Sequence, residues 1–72
     1  MVDGKRLANA REDAAFIIEL SDAEIAKFFY RESMRRGLSR LVRNLDLLVR
    51  SGGEDRNIGA RALQKLGFEV EE

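Results

Sequence analysis

The sequence predicts an all-α fold, a compact bundle of four short helices that we expect to be oligomeric. The chain has 72 residues and contains no proline, and its few glycines separate segments of helical periodicity. Within those segments, apolar residues recur three and four positions apart, which is typical of amphipathic helices. A chain of this length forms one domain, so we assign residues 1–72 to a single small helical domain.

The first predicted helix covers residues 5–19. Its apolar side carries Leu7, Ala10, Ala14, Ile17 and Ile18 at helical spacing. Residues 14–18 would also suit a strand, because two of them are isoleucine and one is phenylalanine. We prefer the helix, since the preceding residues are rich in alanine and other strong helix formers.

The second predicted helix covers residues 22–36 and has a clear start. Ser21 and Glu24 have the spacing of a capping box, in which each side chain bonds the backbone N–H of the other. Leu20 can then pack on Ile25 as a hydrophobic staple. A helix continued through Gly37 would direct its two apolar faces roughly 160° to 220° apart. Gly37 is therefore predicted to end this helix in the left-handed conformation.

The third and fourth helices are predicted at residues 38–50 and 55–66. The third is the most regularly amphipathic, with one face formed by Leu38, Leu41, Val42, Leu45, Leu48 and Val49. After a loop of serine and two glycines, Asp55 is a candidate cap for the fourth. Gly67 suits the left-handed position that ends a helix, with Phe68 folded back on Leu63. An acidic tail, 69–72, follows.

Residues 38–67 resemble one helical pair of a HEAT-type repeat. The resemblance consists of a leucine-rich first helix, a Gly-Gly-Glu-Asp turn, and Ala-Arg-Ala-Leu-Gln-Lys-Leu-Gly in the second helix. Solenoids need about three repeats to bury a continuous core, and residues 1–37 contain no second copy. We interpret the resemblance as a similarity of local packing.

The formal net charge of zero conceals a basic middle between two acidic ends. Residues 27–50 contain seven basic and two acidic side chains, a net charge of +5. Six of these cations are candidates for binding an acidic partner or phosphate: Lys27, Arg31, Arg35, Arg40, Arg43 and Arg50. A helix-turn-helix centred on Gly37 is disfavoured, because charged residues such as Arg43 and Asp46 would fall at its buried positions.

Some apolar residues remain after each helix has filled its core face. They are Phe16, Leu20, Tyr30, Met34 and Leu47. Two explanations stay open. The second helix could be central and buried on two sides, or these five residues could contact another chain. The second explanation would also supply the stability that so small a core lacks.

These observations favour a non-catalytic protein-interaction module, with the chain itself as the expected partner in a homodimer. With no histidine or cysteine, the commonest catalytic bases and nucleophiles are missing, and we expect no enzymatic activity, metal ion or cofactor. No apolar run approaches the length of a membrane span, and no signal peptide is evident, so we expect a cytoplasmic protein. The alternative function is a small nucleic-acid-binding regulatory protein that contacts phosphates through the basic middle.

Overall fold

The computed structural model describes residues 4–34 and 37–70, which contain four α-helices and no strand. They are α1 (Gly4–Glu19), α2 (Asp22–Met34), α3 (Leu38–Ser51) and α4 (Gly53–Lys65). The predicted all-α class and the four helices are confirmed. Residues 14–18 lie inside α1, so the strand alternative for this segment is wrong.

The core is formed by α1, α3 and α4. Their buried side chains make one apolar cluster, to which α1 contributes Ala10, Ala14 and Ile17, α3 contributes Leu41, Leu45 and Leu48, and the α4 region contributes Ala62, Leu63 and Leu66. Ile17, Leu45 and Leu48 are the largest fully buried side chains. The predicted apolar faces of the first and third helices are therefore the faces that pack.

The helices α3 and α4 approach each other closely at Gly59. A Cβ atom at this position would come within 2.8 Å of the Leu45 carbonyl oxygen and the Leu48 Cβ. Real side chains do not pack that closely, so only glycine permits this separation of the two helices.

The second helix, α2, lies at the edge of this core, and none of its thirteen residues is buried. Its contacts with the core come from one side of the helix. Ile25, Phe28 and Phe29 are half-buried against the core cluster, with Phe28 beside the Phe16 ring and Phe29 beside the Phe68 ring. A central position for α2, one of the two explanations considered for its surplus apolar residues, is therefore wrong.

The start of α2 is the predicted capping box. The Ser21 N–H donates to Glu24 Oε1 at 3.0 Å, and the Glu24 N–H donates to Ser21 Oγ at 3.3 Å. The pKa of Glu24 is lowered chiefly because its carboxylate accepts the backbone hydrogen bond from Ser21. The helix start is thus set by side chains three residues apart and needs no tertiary contact.

The predicted left-handed conformation of Gly37 is wrong. Its φ is −87°, its N–H donates to the Glu32 carbonyl at 2.9 Å, and its own carbonyl accepts from the Leu41 N–H. A Cβ at Gly37 would meet the end of the Glu32 side chain at 2.5 Å, and this flexible side chain can move aside. The backbone at Gly37 therefore does not require the dihedral angles that favour glycine. The predicted last residues of this helix, 35 and 36, lie outside the described residues.

The turn between α3 and α4 is tighter than the sequence predicts. Gly52 and Gly53 both have positive φ, 76° and 61°, and reverse the chain so sharply that α4 begins at Gly53. Asp55 therefore lies inside the first turn of α4, and its predicted role as the helix cap is wrong.

The left-handed conformation predicted for Gly67 at the end of α4 is confirmed. Gly67 has a φ of 96°, and the N–H groups of Gly67 and Phe68 donate to the Gln64 and Leu63 carbonyls, the pattern of a Schellman motif. Near this end, Lys65 Nζ donates to the Ile18 carbonyl at 3.1 Å and so satisfies an end carbonyl of α1. The last turns of α1 and α4 are thereby joined. Of the predicted acidic tail, residues 71 and 72 lie outside the described part of the chain.

Candidate binding surfaces

The side of α2 that points away from the core is apolar in part and exposed. We call Ala23, Lys27, Tyr30 and Met34 the outer α2 face. Tyr30 and Met34 are 69% and 70% exposed, more than any other large apolar side chain among the described residues. They follow one another by four residues and therefore lie side by side on the helix. Large apolar side chains left in water on one helix face are typical of a contact surface.

A second apolar feature lies between α1 and α2, where Phe16 meets Phe28. The ring centroids are 5.7 Å apart and the planes are inclined at 58°, a favourable arrangement for two aromatic rings. Phe16 nevertheless remains 55% exposed. The two rings line a shallow depression, which we call the aromatic groove, together with Asn9, Asp13, Glu32, Gly37, Arg40, Leu41 and Asn44.

Beside it, a basic groove runs between the first turns of α1 and the first half of α3. Its lining comprises Lys5, Arg6, Asn9, Ser39, Arg40, Arg43 and Asn44. Four of these side chains are cations, three others carry amide or hydroxyl donors, and no carboxylate occurs among the described lining residues. The groove has a volume of about 640 Å³, within the range of small-molecule sites in proteins.

The two grooves share a wall formed by Asn9, Arg40 and Asn44. Asn44 accepts a long hydrogen bond of 3.5 Å from Arg6 Nε. It also lies near Asp13, whose pKa is raised mainly by burial, although hydrogen bonding with Asn44 and the charge of Arg40 act to lower it. The carboxylates of Glu12 and Glu32 raise it further. Among the described lining residues, the two carboxylates, Asp13 and Glu32, both belong to the aromatic groove.

The structure divides the five predicted partner-binding residues among separate surfaces. Tyr30 and Met34 share the outer α2 face. Phe16 contacts Phe28, which lies about 200° around α2 from Tyr30, so Phe16 is on a different side of the protein. Leu20 and Leu47 are half-buried. The sequence identifies the exposed residues, but it does not show that two surfaces are involved.

The predicted cations also separate. Lys27 and Arg31 are exposed on α2, whereas Arg40 and Arg43 line the basic groove on α3. Arg50 pairs with Asp46 at 2.8 Å on its own helix, as its spacing indicates. Arg35 lies outside the described residues.

Sequence reasoning missed Lys5 and Arg6, which form the α1 side of the basic groove. They belong to the segment 1–26, which has a net negative charge, so a charge count by segment conceals them. The available signal was local: Lys5 and Arg6 lie within one turn of Asn9, and these three residues form a polar, carboxylate-free strip at the start of the helix.

The part of the chain formed by residues 4–34 and 37–70 contains no group of three or more acidic side chains placed to hold a metal ion. It also contains no helix with the length and apolar character required to cross a membrane. No protein-family model, curated protein or solved structure matches the chain.

Proposed function

We propose that this protein is a non-catalytic interaction module that forms a homodimer through the outer α2 face. One observation carries the proposal. No residue of α2 is buried within its own chain, yet its outward side holds Tyr30 and Met34 at 69% and 70% exposure. A second chain that covers this side would remove both from water, which stabilises the pair roughly in proportion to the apolar area buried.

The properties of α2 itself support a need for a partner. It has thirteen residues, a length at which an isolated helix is marginal in water. Its inner side rests on the core through half-buried residues only, including Ile25 and Phe29. Contact on the outer side would complete its burial and add the stability that a small single core supplies poorly.

A second copy of the same helix is a suitable partner, because the outer α2 face is complementary to itself when two helices run antiparallel. A two-fold axis between Lys27 and Tyr30 places Lys27 over the ring of the partner's Tyr30, a cation–π arrangement. The same axis sets the small Ala23 against the large side chain of the partner's Met34. Large and small residues then interdigitate along about 17 Å of helix.

Charge complementarity favours the same arrangement. Glu24 and Arg31 are seven residues apart, so they lie within about 20° of each other on one flank of the outer α2 face. In an antiparallel pair, equal flanks meet, and Glu24 approaches Arg31 of the partner subunit twice in each dimer. One oxygen of Glu24 accepts the capping hydrogen bond from Ser21, and the other remains available for this ion pair.

The alternative of nucleic-acid binding through the whole basic middle segment has less support. The described cations of that segment point to two surfaces, and Arg50 is paired with Asp46. A non-catalytic role agrees with the absence of histidine and cysteine from the sequence.

The test is sedimentation equilibrium over about 1 to 300 µM, a range that brackets a modest interface. We expect a dimer at tens of micromolar for the natural sequence. Tyr30→Glu places a charge in the contact and should weaken association by about 10-fold or more. Ala15→Glu is the matched control, since it adds the same charge at an exposed position of α1 and should leave the dimer intact. A monomeric natural protein at tens of micromolar contradicts the proposal, as does equal weakening by both variants.

The antiparallel arrangement has a separate test. Arg31→Glu should weaken the dimer by placing like charges opposite each other, and adding Glu24→Gln should restore part of the affinity by removing that repulsion. Glutamine at position 24 retains the capping box, so the start of α2 is preserved. If Glu24→Gln does not relieve the effect of Arg31→Glu, the two residues do not meet across the dimer.

A further inference from the structure

We propose that the basic groove and the aromatic groove together bind single-stranded nucleic acid, with backbone phosphates in the basic groove and a base stacked on Phe16. This binding site is separate from the outer α2 face and does not depend on dimer formation. It also differs from the basic middle segment as a site, because half of its cations come from α1.

The composition of the basic groove favours an anion with several oxygens. Lys5 and Arg6 on α1 lie across the groove from Arg40 and Arg43 on α3, and the described lining contains no carboxylate. Arginine presents a planar set of donors that matches phosphate oxygens in pairs. Ser39, Asn9 and Asn44 add neutral donors between the cations. A site with this donor set binds phosphate more readily than it binds a neutral ligand.

Continuity with the aromatic groove favours nucleic acid over an acidic peptide. Asn9, Arg40 and Asn44 line both grooves, so a ligand chain can pass from one to the other without leaving the surface. Phe16 is 55% exposed there, and Phe28 supports its ring from the α2 side at 5.7 Å. A positive groove beside an exposed, supported aromatic ring is the combination that holds phosphates and unstacked bases together.

The carboxylates of the aromatic groove determine which part of the ligand lies there. Asp13 and Glu32 repel phosphates, so the ligand backbone is confined to the basic groove. Both can instead accept hydrogen bonds from the amino groups of a base. Arg40 lines the same groove and partly balances the charge of Asp13, whereas the charge of Glu12 acts on Asp13 in the opposite direction. The ligand therefore has one orientation, with its base toward α2.

The experiment is a fluorescence-anisotropy titration of the full chain with a labelled single-stranded oligonucleotide of about eight cytosines, at about 20 to 200 mM salt. We expect binding at low salt that weakens with a slope of about −2 to −3 in log K against log salt, for three or four phosphate contacts on a single strand. Absence of binding at low salt overturns the proposal.

Three competitors identify what is recognised. An abasic oligomer of the same length supplies the phosphates alone, a duplex supplies stacked bases, and a polyglutamate peptide supplies carboxylates. The single strand should bind at least about 5-fold more tightly than each of them, because only it offers an accessible base. Equal affinity for the abasic oligomer or the duplex removes the stacking role of Phe16. Equal affinity for polyglutamate makes the site one for acidic peptides.

Two sets of variants assign the contacts. Arg40→Gln with Arg43→Gln should reduce the salt slope by about 1.4 and weaken the single strand and the abasic oligomer alike. Phe16→Leu should weaken the single strand by about 5-fold or more and leave the abasic oligomer unchanged. Arg56→Gln with Arg61→Gln removes the same charge from exposed positions of α4 and is the matched control. If the control and the groove variant lose the same affinity for the single strand, net charge alone drives binding, and the proposed site is wrong. Circular dichroism verifies that each variant remains helical.

Discussion

Arg11 on α1 and Asp55 on α4 are joined by two parallel hydrogen bonds, from Nε at 2.9 Å and from Nη2 at 2.8 Å. The residues are 44 positions apart in the sequence, so the pair fixes the first helix against the last. The Asp55 side chain is only 19% exposed, whereas that of Arg11 is 49% exposed. The hydrogen bond from Arg11 lowers the pKa of Asp55, and the bond to Asp55 raises that of Arg11.

This pair makes stability depend on pH in a defined direction. The pKa of Asp55 is lower in the folded state than in the unfolded state. The stability contributed by its carboxylate is therefore fully present at pH values above the ordinary pKa of aspartate, and it is lost as the pH falls through the folded-state pKa. We expect Asp55→Asn to lower the urea midpoint at pH 7 and to have less effect at pH 2. Asp46→Asn is the control, since its partner Arg50 is on the same helix. An equal effect of Asp55→Asn at both pH values contradicts this role.

Gly59→Ala tests the close approach of α3 and α4. Alanine is the better helix former by about 1 kcal/mol, but its Cβ would strike the backbone of Leu45 and the side chain of Leu48. We expect a net destabilisation of about 1 to 3 kcal/mol, measured by urea unfolding. Gly4→Ala is the matched control, because nothing lies within 4 Å of its added methyl group, and it should be neutral or stabilising. If the Gly59→Ala variant is as stable as the natural sequence, α3 and α4 can move apart without loss of stability.

Ser21→Ala should remove one bond of the capping box and destabilise the start of α2 by about 1 kcal/mol. Glu24→Gln should have a smaller effect at pH 7, since an amide oxygen still accepts from the Ser21 N–H. Because the pKa of Glu24 is lowered in the folded state, glutamate stabilises the cap more than glutamine does at pH values above the ordinary pKa of glutamate. This stability advantage is lost as the pH falls through the folded-state pKa. Backbone chemical shifts of residues 21–25 provide the measurement, and unchanged helical shifts in Ser21→Ala would contradict the cap.

The pKa of Asp13 should respond in opposite directions to two substitutions. Burial is the main reason that it is raised, and the charge of Glu32 adds to the shift while that of Arg40 opposes it. Glu32→Gln should therefore lower the pKa of Asp13, and Arg40→Gln should raise it, as followed by NMR titration of the carboxyl carbon. Shifts of the same sign in both variants would contradict the arrangement at the wall between the grooves.

Amide hydrogen exchange should distinguish α2 from the other helices. With no buried residue, α2 should exchange faster than α3, whose Leu45 and Leu48 are fully buried. If the protein dimerises through α2, protection of residues 26–34 should increase between about 1 and 200 µM protein, while that of α3 changes little. Exchange in α2 that is as slow as in α3 at low concentration would contradict its position at the edge of the core.

Features that depend on residues close in sequence are predicted well for this chain. The capping box at Ser21 and the Schellman motif at Gly67 each involve groups within five positions, and the apolar face of α3 follows from periodicity alone. Each is determined by the local backbone geometry of a helix. For these elements, the sequence is nearly sufficient.

Features that depend on tertiary contact could not be predicted in the same way. Asp55 forms an ion pair with Arg11 on another helix instead of capping α4. The preference of aspartate for helix starts predicts a cap, but it cannot predict a partner that is distant in the sequence. The basic groove requires Lys5 and Arg6 to lie beside Arg40, although their segments have net charges of opposite sign. The position of α2 at the edge depends on which helices bury the core together, and periodicity within α2 does not contain that information.

The placement of α2 has a consequence for how this protein can change over evolutionary time. Its inner side rests on a core that α1, α3 and α4 complete between them, and its start is fixed by its own capping box. Substitutions at Tyr30 or Met34 therefore alter no buried packing within one chain. We expect them to leave the four-helix fold unchanged and to remove only the stability that a dimer adds. The helix can acquire a new binding partner through surface mutations alone, while the remaining three helices conserve the fold.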